Sequence, residues 1–469
     1  MTHFVAATPD EIKNKYKTLI HDRTFADMVE KVGGWNSISA TFDDHDFGIN
    51  NGDKSYSFVK QSQELFWDFV QEPVDSLRRK QAGVYSSKQH TIGIPQSGVS
   101  DSSAVGTKFT YKVIMLDTRS NKDVAPSLFG SKNNIHDGDF LGEEQWLWLE
   151  KELQSDVDLV LLGSSIQALP TDKLTEELWG VFPNARTRLL SLIIGAKCPN
   201  VLILSGDVHY AEVSKAKCKW NEIRAGKNDE GKEGDSVEEI IPRKSTMWEL
   251  TSSGLTHTFY MQSEQRKEGN LMLSKPTSKP GDIWSKAKAF IYNLYQASFP
   301  SRYREQRYGD HFSGLNFGLI DINIDDVSEN SAIDNYSRES CVNNMTCNAK
   351  STHTSSTHDI ILDDVLTASS NRVISVTFRA MNSEGQPIIE KKIPLKSKNI
   401  LERGRISDLV CEPFWGNVPQ WRLPLMYFMV FAPVIALLFI PFGITLFVAR
   451  LIFQFYKRNS ITERAYGRL

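Results

Sequence analysis

The chain has 469 residues, 40% of them hydrophobic, so it can bury a sizeable core and has room for one large α/β domain with insertions. Its formal net charge of -3 argues against a general nucleic-acid-binding protein, which would carry a clustered basic excess. Five cysteines are too few for a protein built around disulfides.

The first 19 residues, MTHFVAATPDEIKNKYKTL, have no basic region followed by an apolar run, so they are not typical of a secretory signal peptide. Residues 41–48, TFDDHDFG, then place Asp43, Asp44, His45 and Asp46 in succession. Three adjacent acids repel one another unless water, a cation or strong donors compensate them. Taken alone, the stretch is more typical of a solvated acidic turn than of a site.

The middle of the chain alternates predicted strands and helices. Residues 107–119 predict a strand that ends at Asp117 and Arg119, and the same periodicities predict a helix over 140–153, a strand over 157–165, a helix toward the end of 179–197 and a strand from 200. This order favours an α/β core with sites at the carboxyl ends of strands.

Three segments predict insertions into this core, at about 215–245, 260–312 and 324–358. The first is charged and Gly-rich, which is typical of a mobile loop. Residues 372–395 predict two strands joined by an Asn-Ser-Glu-Gly turn, which close the domain at about residue 398.

Residues 205–212, SGDVHYAE, follow a predicted strand and offer Asp207 and His209 two positions apart. In an extended segment such residues point the same way. A metal corner and a capping Asp beside a structural His are equally typical of this motif alone. Combined with the acidic stretch it supplies oxygen ligands and imidazole, which suit Ca²⁺, Mn²⁺, Mg²⁺ or Fe³⁺.

Two cysteines, Cys341 and Cys347, bracket a short polar loop and could close a small disulfide ring, whereas Cys198, Cys218 and Cys411 are scattered. Asn335 and Asn344 begin N-glycosylation sequons in the same region. Together these features favour a lumenal or extracellular domain.

Residues 423–449 contain no charged side chain and predict a transmembrane helix, since 27 residues would reach about 40 Å as a helix. A linker over 399–422 precedes this segment, and a basic tail over 450–469 follows it. By the positive-inside rule the tail is cytosolic and the large domain lies outside. The amino terminus supplies no matching signal, so we expect either coincidental signals or a missing start.

Several stretches resemble the PhoD-like alkaline phosphatase family, a branch of the calcineurin-like metallophosphoesterases, and occur in the family's order over about residues 11–395 with insertions. They are FDDHDFGINNGD, VIMLDTR, FLGEEQWLWLEKEL, LLGSSIQ, LILSGDVHYAE and WELTSSGLTH. The resemblance implies a two-sheet α/β sandwich with flanking helices, a metal cluster at the strand ends, and hydrolysis of phosphate monoesters or diesters.

The resemblance also implies roles for individual residues. Asp44, Asp207 and His209 match metal-ligand positions, and His45 matches the histidine that polarises phosphate or protonates the leaving group. Calcium and iron are the metals expected by family, with manganese or magnesium as alternatives. Weaker candidates are Arg119 as a phosphate contact or a structural ion pair, Asp43, Asp46, Asn50 and Asn51 around the site, and His257 as an outer ligand.

The chain departs from the family pattern at its start, where the Gly-Asp-x-x-Tyr motif with its metal-bridging Asp is not found before Asp10. We therefore expect a membrane-anchored phosphatase that lacks its first metal-binding segment here and acts on a phosphorylated small molecule or lipid. The alternative from another class is a catalytically inactive, membrane-tethered interaction protein.

Overall fold

The computed structural model describes most of the chain up to residue 417. The described residues are 8–95, 105–125, 137–173, 176–227, 233–256, 258, 299–326, 367–368, 372–396 and 404–417, with single positions beyond. Two units form, one made of residues 1–171, 175–275 and 302–416, the other of 172–174, 276–301 and 417–469.

The first unit contains six α-helices and twelve strands among the described residues, and those between about residues 105 and 205 follow the order predicted from periodicity. The helices are α1 (Pro9–His21), α2 (Arg23–Lys31), α3 (Asp44–Phe47), α4 (Val59–Phe69), α5 (Gly142–Leu153) and α6 (Pro183–Gly195). The strands are β1 (Ser86–Pro95), β2 (Val105–Met115), β3 (Leu159–Ser164), β4 (Val201–Ser205), β5 (Ala211–Lys227), β6 (Glu233–Ser252), β7 (His311–Phe312), β8 (Asn316–Asp326), β9 (Thr367–Ala368), β10 (Arg372–Asn382), β11 (Pro387–Pro394) and β12 (Arg405–Pro413).

Two sheets form among the described residues. The larger has the order β1-β2-β3-β4-β6-β5-β12, with β7 added beside β5, and the smaller has β11-β10-β8 with β9 beside β10. Strands β2, β3, β4 and β6 run parallel, so their carboxyl ends share one edge of the sheet. That edge is where ligand sites form in such sheets.

Each face of the larger sheet packs against an apolar layer. On one face Ile114 and Leu162 join Trp146 of α5 and Leu189 of α6 in a buried cluster. On the other face, apolar side chains of the large sheet, such as Leu202, pack with residues of the small sheet. The expected α/β fold with two packed sheets and flanking helices is therefore present in the described part of the chain.

The amino-terminal helices carry the acidic stretch on a small aromatic core. Phe42 and Phe47 flank the stretch and are fully buried with Phe66 and Trp67 of α4. Ser62 of α4 also donates a hydrogen bond of 2.6 Å to the carbonyl oxygen of Phe47. Burial on both sides therefore fixes the backbone that presents Asp43 to Asp46.

The predicted mobile loop at 215–245 was wrong. Most of this segment belongs to β5 and β6, which pair antiparallel from Ala211 and Ser252 out to Lys227 and Glu233. Small and apolar residues alternate with lysines along β5, so one face of the hairpin is buried while its charges remain on the other. The many charged residues in this segment made its alternating strand pattern difficult to recognise from the sequence.

The predicted linker at 399–422 was also wrong in part, because β12 lies within it. This strand pairs antiparallel with β5, and a disulfide joins Cys411 of β12 to Cys218 of β5. Two cysteines that are scattered in the sequence, 193 positions apart, are therefore direct cross-strand neighbours. Cys198 is free and buried.

The second predicted hairpin is confirmed. Strands β10 and β11 pair antiparallel, and the turn between them contains Gly385 at a φ of 74°, in the left-handed region that glycine accepts readily. Leu395, just beyond β11, is buried against the same layer as β10. The hairpin thus contributes one side of the inter-sheet core.

The described part of the second unit is small. Within it, Ser301 donates a hydrogen bond of 2.9 Å to Asp172, and Arg422 donates one of 3.0 Å to the carbonyl oxygen of Phe299. In the portion of the chain that the structure describes, no helix has the length and apolar character to cross a bilayer. Most of the predicted span 423–449 lies outside that portion, as do His257, Asn335, Cys341, Asn344 and Cys347.

Candidate metal site

The loops that follow β2, β3 and β4 meet the acidic turn at the carboxyl edge of the large sheet. Gly206, after β4, donates a backbone hydrogen bond of 3.1 Å to the carbonyl oxygen of Ser165, after β3. The hydroxyl groups of Ser165 and Thr118, after β2, lie 2.5 Å apart. Ser165 also donates a hydrogen bond of 2.9 Å to Asp43. Segments far apart in sequence therefore converge on one carboxylate.

Three carboxylates form the centre of the site. Asp43, Asp44 and Asp207 each place one oxygen within 4.8 Å of the others. Asp44 is buried, whereas Asp43 and Asp207 are half-buried, so the group is open on one side. Oxygen ligands at such spacing suit a hard cation such as Ca²⁺, Mn²⁺ or Mg²⁺.

A buried arginine pairs with one of these three carboxylates. Arg119 is fully buried; it donates a hydrogen bond of 2.7 Å from Nε to one oxygen of Asp43, and its Nη2 forms an ion pair of 2.5 Å with the same oxygen. Its Nη1 pairs with Glu177 at 2.5 Å, and Lys122 pairs with the other oxygen of Glu177 at 2.5 Å. The ion-pair interpretation of Arg119 therefore describes its geometry better than a direct phosphate contact does.

The same loop that carries Arg119 is shaped by Asp117. Its carboxylate is fully buried and accepts hydrogen bonds from the backbone of Val84, Arg119 and Ser120 at 2.8, 2.9 and 2.9 Å. Because one side chain satisfies three backbone donors, the loop after β2 has a single well-defined path. Asp117 thus orients Arg119 rather than joining the carboxylate group.

Backbone donors hold Asp44 in place. One of its oxygens accepts a hydrogen bond of 2.6 Å from the amide of His45, and the other accepts one of 2.9 Å from the amide of Asn51. Asn51 reaches this position with a φ of 54°, in the left-handed region that Asn tolerates. The Asn51 backbone thus helps to fix the loop that carries Asp44.

His45 lies at the open side of the site. Its Nε2 is 3.9 Å from an oxygen of Asp44 and 3.4 Å from the side-chain oxygen of Asn50, and its side chain is 26% exposed. The ring is therefore accessible to a bound molecule beside the carboxylates. Asn50 acts through His45 rather than as a member of the carboxylate group.

The segment after β4 does not have the extended backbone assumed in the sequence argument. Asp207 has a φ of 70° and His209 a φ of 56°, both in the left-handed region. Residues in that region are uncommon outside glycine and cluster at functional sites. The two side chains consequently do not project as an extended pair, and the carboxylate group includes Asp207 but not His209. The backbone amide of His209 donates a hydrogen bond of 3.2 Å to the hydroxyl oxygen of Ser253.

The carboxylates strongly perturb one another. Burial and the charge of Asp43 raise the pKa of Asp207 well above its usual range, and the same two causes raise the pKa of Asp44. Burial would also raise the pKa of Asp43, but Arg119 and a hydrogen bond from Ser165 hold that pKa below its usual range. The oxygens of Asp43 and Asp207 lie within 4.8 Å of each other, so their charges repel when both are ionised.

A cation would compensate this repulsion. The six side chains Asp43, Asp44, Asp207, Glu177, Arg119 and Lys122 have a net charge of -2 when all are ionised, so the donor set fits a divalent or trivalent ion. Asp43, Asp44 and Asp207 would hold it. Asp46 remains outside the group, although burial and the charge of Asp43 raise its pKa to about 6.

Sequence reasoning placed Asp44 and Asp207 correctly at one location but ranked Asp43 too low. It also missed Ser165 and Glu177 as the partners of Asp43 and Arg119. Ser165 lies in the stretch LLGSSIQ, which carries the family resemblance, so a signal for it existed. Glu177 has no comparable signal, because its pairing depends on a fold contact with residues near position 120.

Part of the candidate site lies in a segment that is similar to known proteins. The family model for PhoD-like phosphatases matches residues 102–280, a range that contains Arg119, Ser165, Asp207 and His209. Over these residues the chain is therefore similar to PhoD-like phosphatases. The acidic turn lies outside the matched range, and its contacts with Arg119 and Ser165 join it to the PhoD-like segment.

Among solved structures, a chain described as the structure of PhoD is similar, with 16% identity and a TM-score of 0.34. The match covers 53% of this chain and 44% of the PhoD chain, so this protein spans less than half the length of that relative. No curated protein is similar enough in sequence to count as a match.

Proposed function

We propose that this chain is a metal-dependent phosphatase that hydrolyses phosphate monoesters or diesters. The observation that supports the proposal is the convergence of Asp43 and Asp44 with Asp207 of the PhoD-like segment at the carboxyl edge of the parallel strands. When bound there, a divalent or trivalent cation would lower the pKa of a coordinated water and neutralise charge on the phosphate.

The protein's own side chains would divide the remaining work. Asp43, Asp44 and Asp207 would hold the ion, and Arg119 would keep Asp43 ionised and correctly oriented from beneath the site. His45, partly exposed beside Asp44, would donate a proton to the leaving oxygen. Because Arg119 is buried, it would support Asp43 without contacting the substrate. The substrate would bind at the open side of the carboxylate group.

Hydrolysis of p-nitrophenyl phosphate and bis(p-nitrophenyl) phosphate tests the proposal, with Ca²⁺, Mn²⁺, Mg²⁺ and Fe³⁺ each supplied separately. We expect turnover with at least one ion, its loss on chelation, and its loss in Asp207→Asn. His45→Gln should lower kcat by about 100-fold or more while metal affinity stays unchanged, because proton donation contributes on that scale. Asp68→Asn, at a position 67% exposed, is the matched control and should retain activity.

Metal binding without turnover of either ester would contradict the enzyme. That result would favour the catalytically inactive interaction protein. Comparing soluble esters with a phosphorylated lipid in vesicles would then place the substrate among small molecules or lipids, since equal turnover of both would argue against a lipid preference.

From the sequence we also propose that residues 423–449 anchor the protein in a membrane, with the PhoD-like domain lumenal or extracellular. The disulfide between Cys218 and Cys411 supports an oxidising compartment, because such bonds persist there and are rare in the cytosol. Endoglycosidase treatment of the cellular protein tests this placement. A mobility shift that disappears in the Asn335→Gln, Asn344→Gln double variant is expected, whereas no shift in the parent would contradict it.

A further inference from the structure

A cavity of about 230 Å³ lies at the end of the sheet opposite the carboxylates. Val201, which lines it, is the first residue of β4, whereas Asp207 follows the last residue of that strand. The end of α6, the β5–β6 hairpin, Lys396 and the beginning of β12 complete the walls. The cavity is therefore separate from the candidate metal site.

One wall of the cavity is apolar. Ile194, Val201, Trp220 and Met247 contribute it, and all four belong to or pack against the main hydrophobic core. Such a wall favours an aromatic or aliphatic group over a fully hydrated ion. A volume of about 230 Å³ holds roughly eight groups of the size of a water molecule, since one water occupies about 30 Å³ in the liquid.

The remaining wall is strongly cationic. Four basic side chains, Arg224, Arg243, Lys244 and Lys396, line the cavity together with one acid, Glu222, which gives these five groups a net charge of +3. The whole chain has a formal net charge of -3, so this concentration of positive charge is not a reflection of composition. An anion would be attracted here.

Glu222 does not prevent anion binding, because its carboxylate already accepts hydrogen bonds from three neighbouring donors. Glu222 accepts hydrogen bonds from the amide of Gly404 at 2.9 Å, from Arg224 at 2.8 Å and from Arg243 at 2.7 Å. It thereby holds two guanidinium groups side by side at the cavity. Arg243 uses only its Nε in contacts among the described residues, and a guanidinium has five N–H donors.

We propose that this cavity binds a small amphipathic organic anion, with the anionic group on Arg243 and Lys244 and an apolar body against Ile194 and Trp220. Planar guanidinium donors and a nearby ammonium group suit sulfonate, carboxylate or phosphate oxygens. The site is independent of the phosphatase proposal, because it shares none of the carboxylates.

Isothermal titration calorimetry with p-toluenesulfonate tests the proposal on the full chain. Methyl p-tolyl sulfone has nearly the same shape without the charge, and inorganic sulfate has a comparable charged group without the apolar body. We expect the sulfonate to bind at one site and both analogues to bind at least about tenfold more weakly, since each lacks one half of the complementarity.

Arg243→Gln should weaken sulfonate binding by about tenfold or more through the loss of a charge-assisted contact. Lys219→Gln is the matched control, because Lys219 is an exposed lysine on β5 that does not line the cavity, and it should leave affinity unchanged. Asp207→Asn should also bind normally, which separates this site from the metal site. If Arg243→Gln fails to fold, the Lys244→Gln, Lys396→Gln double variant replaces it with the same expectation.

Equal affinity for the sulfonate and the neutral sulfone would overturn the proposal, as would equal losses in Arg243→Gln and Lys219→Gln. Absence of sulfonate binding to the folded parent protein would overturn it as well. Circular dichroism on each variant confirms that an affinity change is measured on folded protein.

Discussion

Arg119 contacts a single oxygen of Asp43 twice, through a hydrogen bond of 2.7 Å from Nε and an ion pair of 2.5 Å from Nη2. This contact joins the loop after β2 to the acidic turn across 76 positions of sequence. It also explains how a half-buried carboxylate remains ionised beside two others, because the guanidinium compensates its charge. Arg119 is therefore the structural support of the candidate site.

Replacing Arg119 with Leu should lower the free energy of unfolding by about 3–5 kcal/mol, because removing one partner leaves buried charge uncompensated on Asp43 and Glu177. Urea denaturation followed by circular dichroism measures the change. Arg405→Gln is the control, since its ion pair with Glu238 is 72% and 63% exposed and should contribute about 1 kcal/mol or less. Similar losses in the two variants would contradict this account.

Asp43→Asn should weaken Mn²⁺ or Ca²⁺ binding by at least about tenfold, because the site loses one charged oxygen ligand. Asp46→Asn is the matched control, since it belongs to the same DDHD stretch but lies outside the carboxylate group, and it should have a much smaller effect. Calorimetric titration of the metal into each protein distinguishes the two. A larger loss for Asp46→Asn would reverse the assignment.

Glu222 should contribute a pH-dependent part of stability. Burial opposes its ionisation, but the Gly404 amide, Arg224 and Arg243 together lower its pKa from 4.5 to about 2. For a lowered pKa the contribution is present above 4.5 and is lost as the pH falls toward about 2. The stability difference between the parent protein and Glu222→Gln should thus be full at neutral pH and shrink in that window.

Urea denaturation at a series of pH values measures this difference. Glu238→Gln is the control, because Glu238 is 63% exposed and its ion pair should contribute little at any pH. A parent-to-Glu222→Gln difference that stays constant through the acidic range would argue against the lowered pKa.

Reducing the Cys218–Cys411 disulfide should destabilise the protein by about 2–5 kcal/mol, since the bond closes a long loop in the unfolded chain. Denaturation with and without dithiothreitol measures the effect. The Cys411→Ser variant should be as unstable as the reduced parent and insensitive to the reductant. Continued sensitivity in that variant would mean that another bond is responsible.

Gly48→Ala should destabilise the turn that carries the carboxylates. Gly48 has a φ of 152°, and an added methyl group would collide with the ring of Tyr56 in the buried aromatic cluster. We expect a loss of about 2 kcal/mol or more, from backbone strain and overpacking together. Gly385→Ala is the control, because Gly385 has a φ of 74° but open space around it, and about 1 kcal/mol is expected from backbone strain alone.

Much of the fold could be predicted from local patterns. The strands that end before Asp117, Ser165 and Asp207, the helix over 142–153 and the hairpin at 372–394 follow from apolar periodicity and turn residues, which depend on near neighbours in sequence. The oxygen-rich character of the site was readable for the same reason, because residue types alone decide which cations a cluster suits.

What the sequence determined by itself is therefore the set of elements and the chemistry available at their ends. Only the tertiary structure decided which acids meet: Asp43 joins Asp44 and Asp207, while Asp46, two positions from Asp44, does not. It also paired Cys218 with Cys411 and made a sheet edge from a charged insert and an apparent linker. The physical reason is that these outcomes rest on contacts between distant segments, such as Arg119 with Asp43, whose energies depend on burial and geometry rather than on local spacing.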